Sequence, residues 1–213
     1  MQATGACLNY DLGLDLSGPR PYVVGKSVEL SKAAPRTMAK LDIIVAPDPR
    51  LKGKSKPVEA VDDGVRRLMD DMQETMYAAN GIGLAAPQVG IHQRVIVVDV
   101  AGPEEDPQPL QMANPEVIWE SDEIKTYEEG CLSLPEYYAE VARPERVKIR
   151  YLDRENEIRT LEADSIMATC VQHEIDHLDG VLFVDHISAL KRGIILKKLK
   201  KFKKQQAEEF ADI

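Results

Sequence analysis

The chain has 213 residues, 44% of them hydrophobic and 30% charged, with 27 Lys and Arg against 36 Asp and Glu. That length suits one domain with a sizeable core, and the composition excludes an intrinsically disordered chain. No apolar run approaches the roughly 20 residues of a membrane span, three cysteines make no disulfide framework, and the net charge of −9 argues against a globally basic DNA binder.

The acidity is uneven. Residues 191–204 (KRGIILKKLKKFKK) carry eight basic side chains and no acidic one, which leaves residues 1–190 at −14 and the last nine at −3. The chain reads as an acidic body with a basic tail.

In chain order, residues 1–37 are interrupted by Gly5, Gly13, Gly18, Pro19, Pro21, Gly25 and Pro35. They carry neither a secretory signature nor the Arg-rich, acid-poor pattern of a transit peptide. They are read as a poorly ordered extension or an upstream start, with the working domain opening near Met38. Val58 to Asn80 is predicted to be a helix, because Val61, Val65, Leu68, Met69, Met72 and Met76 form one apolar stripe at a 3.6-residue period. Arg94 to Val100 is a β-branched strand. Met112 to Glu120 is a second, assigned to a sheet edge because Pro115 lacks an N–H. Arg146 to Asp153 and Glu157 to Ala163 form a hairpin about Arg154-Glu155-Asn156. Asp164 or Ser165 caps a helix running to about Leu178, with Gly180 as its stop. Val181 to Val184 is a short extended run. Ile187 to Phe210 is a last amphipathic helix, docked through Ile195, Leu199 and Phe202. Grouped strands with few, separate helices make an α+β fold, not a doubly wound sheet.

The strongest chemical signal is His173-Glu174-Ile175-Asp176-His177. Two His four residues apart lie about 40° apart around a helix, so both imidazoles can reach one metal ion. Glu174 falls within about 60° of His177 and can take a proton from a water there without itself ligating. This is the HExxH arrangement of metal-assisted hydrolysis. Two cysteines compete as third ligand. Cys170 shares the face of His173 but lies roughly 10 Å along the axis from His177, so it reads better as a wall of the pocket. Cys131, in Glu129-Gly130-Cys131-Leu132-Ser133, sits in a Gly-containing turn where backbone can approach an ion; otherwise it is a buried free cysteine. In Gly81-Ile82-Gly83-Leu84-Ala85-Ala86-Pro87-Gln88, small residues would let an extended ligand pack closely, and Gln88 offers an amide donor. Pro87 and the missing strand-to-helix context rule out a phosphate loop or dinucleotide fold.

GIGLAAPQ at 81–88, EGCLS at 129–133 and HEIDH at 173–177 together resemble the three ordered motifs of the peptide deformylase family. LSLPEYYAEVARPERV is similar to α-proteobacterial members of the bacterial type. The resemblance runs from about Met38 into the basic C-terminal helix and implies an α+β fold, antiparallel or mixed sheets packed around the HExxH helix. It implies a cytoplasmic enzyme that removes the N-formyl group from the initiator Met of nascent peptides. It also implies Cys131, His173 and His177 as ligands of one Fe(2+), with Zn, Ni or Co as substitutes. Glu174 would be the catalytic acid and base, and Gln88 and the Leu132 N–H the oxyanion donors. Ile82, Gly83, Glu129, Gly130 and Cys170 would bind substrate, and Arg143 would pair with Glu129. The basic helix resembles the one by which related enzymes dock on the ribosome; a membrane is disfavoured because the apolar face is needed for packing.

This divides the chain into an extension (1–37), a catalytic domain (38–190) and a basic helix (191–213). His92 and His186 are read as surface or capping residues without a role, and Trp119 gives no nucleic-acid stacking platform. The rival readings are a catalytically silent ribosome- or RNA-binding module, and a general HExxH peptidase.

Overall fold

A computed structural model describes residues 39–102 and 105–211, the last six as backbone only; the expectations for residues 1–37 lie outside the described residues. Helix α1, Asp63–Ala78, presents the expected Met-rich stripe to the interior. It begins later than the periodicity predicts because Asp62 is its N-cap, accepting from the Val65 N–H at 2.9 Å. The preceding Val58 and Val61 amides bond instead to the side chains of Asn114 and Asn156.

Strands β1 (Gly83–Ala85), β2 (Val95–Val98), β3 (Leu110–Glu120), β6 (Arg146–Leu152) and β7 (Ile158–Asp164) form one antiparallel sheet in the order β1-β2-β3-β6-β7. Strand β3 is therefore interior, not the edge that Pro115 suggested. The pairing of β3 with β6 slips between Ala113 and Glu116, and this bulge accommodates a residue with no N–H to give. The continuous apolar run of β2 is explained by burial on both faces. Leu84, Val95, Val97 and Ala113 face α1, while Ala85, Ile96, Val98 and Met112 face helix α2, Ser165–Leu178.

A separate two-stranded sheet, β4 (Ile124–Cys131) with β5 (Leu134–Pro144), was not legible as strands. Beneath it a third apolar cluster joins Leu134 and Val141 to Leu182, Phe183, Val184, Ile195 and Leu199. The run 181–184 is extended only up to Leu182: Phe183–Asp185 is a 3-10 turn that buries Phe183 and Val184. Helix α3, Ala189–Ala211, docks through Ile195 and Leu199 with Leu196 partly covered. Phe202, expected on that face, is 43% exposed. It lies three residues past Leu199, about 60° short of a full turn.

Candidate active site

Helix α2 rests on the five-stranded sheet through Ala168, Cys170, Val171 and Leu178. Strand β4 ends at Cys131, where the chain turns through Leu132 and Ser133 into β5, and the Ala46 N–H anchors that turn on the Ser133 carbonyl at 2.8 Å. The Cys131 sulfur lies 3.2 Å from His177 Nε2, and one ligand atom each of Cys131, His173 and His177 falls within 4.8 Å of the other two. Tetrahedral coordination at the usual bond lengths would put such atoms about 3.5 Å apart, so one ion can be held by all three. A thiolate and two imidazoles suit a first-row transition metal and not Mg or Ca, which prefer oxygen.

A cavity of about 510 Å³ opens beside this cluster. Ten of the eleven predicted site residues line it: Ile82, Gly83, Gln88, Glu129, Gly130, Cys131, Leu132, Cys170, His173 and Glu174. The eleventh, His177, is only 1% exposed and joins the cluster from below. Tyr137, Tyr138, Ile166 and Thr169 also line the cavity, and no motif pointed to them.

Each polar group has a cause for its direction. His173 Nδ1 donates to Glu129 Oε2 at 2.8 Å, which leaves Nε2 for an ion. Glu129 is gripped in turn by Arg143, Nε at 2.5 Å and Nη2 at 3.0 Å. Burial alone would raise the Glu129 carboxyl, but the bonds from His173 and Arg143 outweigh it and hold it at about 2. Burial would likewise discharge Arg143, and Glu129 and Asp176 keep it charged. His177 is driven down by burial and by His173, which suits a neutral ligand. Burial pushes the Cys170 thiol up, with Glu174 and Glu129 adding to it, so it stays protonated. Its Sγ rests 3.4 Å from the Ile82 carbonyl, as the wall of the pocket expected of it. Glu174 is pushed up to about 7, chiefly by burial, and its Oε2 has no hydrogen-bond partner among the described residues.

Gln88 is buried and its amide is oriented, because the Ala85 N–H donates to Oε1 at 2.7 Å. The Nε2 end therefore faces Cys131 Sγ at 3.5 Å and Ser133 Oγ at 3.3 Å. Gly83 is required by space: a Cβ there would collide with Glu174 Oε1 and lie 2.9 Å from Cys170 Sγ. Sequence reasoning gave no role to Ser133, Asp176 or His186. Asp176 lies inside the HExxH motif, but nothing in the chain order signals its bond to Arg143 Nη1 at 2.8 Å.

Comparison with known proteins identifies the family. The family model for polypeptide deformylase matches residues 40–193. The chain is 57% identical over 170 residues to the peptide deformylase of Methylocella silvestris, covering 78% of this chain and 87% of that one. It is 58% identical over 167 residues to that of Phenylobacterium zucineum, covering 78% and 99%. The crystal structure of the Ehrlichia chaffeensis peptide deformylase superposes with a TM-score of 0.76 at 39% identity, covering 79% of this chain and 99% of that one. The chain therefore belongs to the polypeptide deformylase family, metallohydrolases that remove the N-formyl group from the initiator methionine of newly made proteins.

Proposed function

We propose that deformylation takes place in the 510 Å³ cavity, with Cys131, His173 and His177 holding one iron(II) ion, for which zinc, nickel or cobalt can substitute. The observation that carries this reading is Glu174: a buried carboxyl beside the ligand cluster with one oxygen unpaired among the described residues. When bound, the ion supplies Lewis acidity, making an adjacent water more acidic and drawing charge from the formyl oxygen. Glu174 takes the proton as that water attacks the formyl carbon. It returns the proton to the methionine nitrogen as the C–N bond breaks, so formate and a free amine leave. The Gln88 amide, aimed by Ala85, and the Leu132 N–H receive the developing oxyanion; one such donor contributes about 2.7–4 kcal/mol.

Strand β1 is the edge of its sheet, and an extended peptide can add to it. The Ile82 carbonyl already accepts from the Asp99 N–H at 2.9 Å. By strand alternation Gly83 is then the residue whose backbone groups face away from β2 and toward substrate. Ile82 contributes its side chain, and Glu129, Gly130 and Cys170 shape the methionine pocket. The test is formate release from a formyl-Met peptide after anaerobic metal loading. Glu174→Ala should reduce turnover about 10²- to 10⁴-fold at unchanged metal content. No release by the metal-replete wild type, or a variant within tenfold of it, would sink the assignment.

The basic helix 191–213 completes the catalytic domain 38–190 as a ribosome-docking element of a cytoplasmic enzyme. Lys197, Lys198, Lys200 and Lys201 are exposed on α3 while Ile195 and Leu199 hold it to the body. No helix among the described residues is long and apolar enough to cross a membrane. Reversing Lys197, Lys198 and Lys201 to Glu should weaken binding to purified ribosomes and flatten its salt dependence, with turnover of a short peptide kept. Ribosome binding that is unchanged at low and moderate salt refutes the docking role.

A further inference from the structure

His186, read from the sequence as a residue without a role, ends a continuous hydrogen-bonded chain that begins at a ligand of the proposed metal centre. His186 Nε2 donates to Asp176 Oδ2 at 2.8 Å. The same oxygen accepts from Arg143 Nη1 at 2.8 Å. The other two nitrogens of that guanidinium hold Glu129, which accepts from His173 Nδ1. The chain crosses β4, β5, α2 and the turn before α3, and it runs outward from the buried His173 and Glu129 to a His186 side chain that is 36% exposed.

Asp176 is the weak link without His186. Its carboxylate is partly exposed, and among the described residues Arg143 is its one other side-chain partner. Two donors on one oxygen fix the rotamer of Asp176, which fixes the third nitrogen of a planar guanidinium. Because the fork is rigid, its other two nitrogens can then meet Glu129 in only one orientation. Glu129 in turn sets the tautomer and ring angle of His173, and such outer partners govern how tightly a metal is held. Arg143 lies between two carboxylates, so its donors are shared, and the His186 N–H supplies the outer carboxylate with a second one.

We infer that His186 is a positioning residue for the metal centre, acting through Asp176, Arg143 and Glu129 to set how long the ion is retained. The inference rests on the proposed ligand set, and one experiment separates their failures. The cobalt(II)-loaded protein is mixed with excess chelator, and metal release is followed by the near-ultraviolet thiolate-to-cobalt absorption. Absence of that absorption in the wild type would overturn the Cys131 ligand assignment and this inference with it. With the absorption present, His186→Ala should speed release by about three- to tenfold, less than the 10- to 100-fold typical of a direct partner of a ligand. His186→Gln keeps an N–H donor and should stay within about twofold of wild type, a rescue that mere loss of packing would not show. In an Asp176→Ala background, where no acceptor is left for His186, His186→Ala should add nothing. Release by the Ala variant at the wild-type rate, an equal effect of Gln and Ala, or additivity with Asp176→Ala would each overturn the inference while leaving the ligand set intact.

Discussion

Replacing Gly83 with Ala adds a single methyl group at a place where the structure leaves none. The new carbon would collide with Glu174 Oε1 and lie 2.9 Å from Cys170 Sγ. Ordinary contact begins near about 3.5 Å, so the sulfur alone must retreat by roughly 0.6 Å and the carboxylate by more. Cys170 is 5% exposed and packed between α2 and the sheet, so it is the Glu174 carboxylate, which lines the cavity, that must swing away from its place beside the ligand cluster. Overpacking of this kind costs about 1–3 kcal/mol of stability. A misplacement of about 1 Å at a catalytic group costs on the order of 10²-fold in rate. Gly83→Ala should therefore melt a few degrees lower, bind metal fully and lose about two decades of kcat, with KM moving less. Gly81→Ala is the control: its Cβ would meet Leu132 Cδ1 at 2.7 Å, the far end of a side chain that can rotate away. Steady-state kinetics on a formyl-Met tripeptide, with metal content and thermal melting on the same samples, reads all three quantities. A metal-replete Gly83→Ala enzyme with kcat within threefold of wild type would falsify the claim that a methyl group here displaces Glu174.

Three further outcomes follow from particular contacts. Arg143→Met leaves Glu129 buried without its ion partner and should cost about 3–5 kcal/mol in urea unfolding; a loss below about 1 kcal/mol contradicts the pairing. Gly180 has φ of +75° and a Cβ there would lie 2.5 Å from the Lys52 carbonyl, so Gly180→Ala should lose about 1–3 kcal/mol while kcat of the surviving fold is kept; an unchanged melting temperature would refute that. Asp48 is held at about 2 instead of 3.8, first by its hydrogen bond from Arg50. A lowered carboxyl contributes stability that is fully present above its unfolded value and fades as pH falls through its folded one. The small melting difference between wild type and Asp48→Asn should thus be present at pH 5 and shrink toward pH 2, and a pH-independent difference would count against it.

What could be read in advance was what leaves a periodic trace. The stripe of α1, the hairpin of β6 and β7, and the His173–His177 spacing each repeat at the period of the element that carries them. Strands β4 and β5 leave no such trace because their outward residues, Glu128, Lys125 and Glu140 among them, face solvent and only Leu134 and Val141 are buried aliphatics. They are recognisable by mutual pairing, which a linear reading cannot see. Pro115 misled because a bulge, not an edge position, removes the need for its N–H. The turn at 183–185 misled because two buried apolar neighbours look the same in a strand and in a 3-10 turn. His186 was missed for a different reason. Its partner Asp176 is ten residues away, but Arg143, which gives that bond its meaning, is 33 residues before Asp176 on another element.

The proposed ligands come from two separately built parts of the molecule. Cys131 ends a strand of the small sheet, and both histidines belong to the helix seated on the large one. A bound ion is then a removable cross-link over the seam between them, with Arg143 bonded to Glu129 and Asp176 as a second, permanent stitch. Binding at such a site would stabilise the docking of the two parts by an amount that grows with the logarithm of metal activity. Opening of β4 and β5 and occupancy of the site become one linked equilibrium. Loading the protein should slow amide exchange along this seam while leaving the face of the large sheet against α1 as it was. The proposed centre would thus serve as a clasp for its own walls as well as a seat for chemistry.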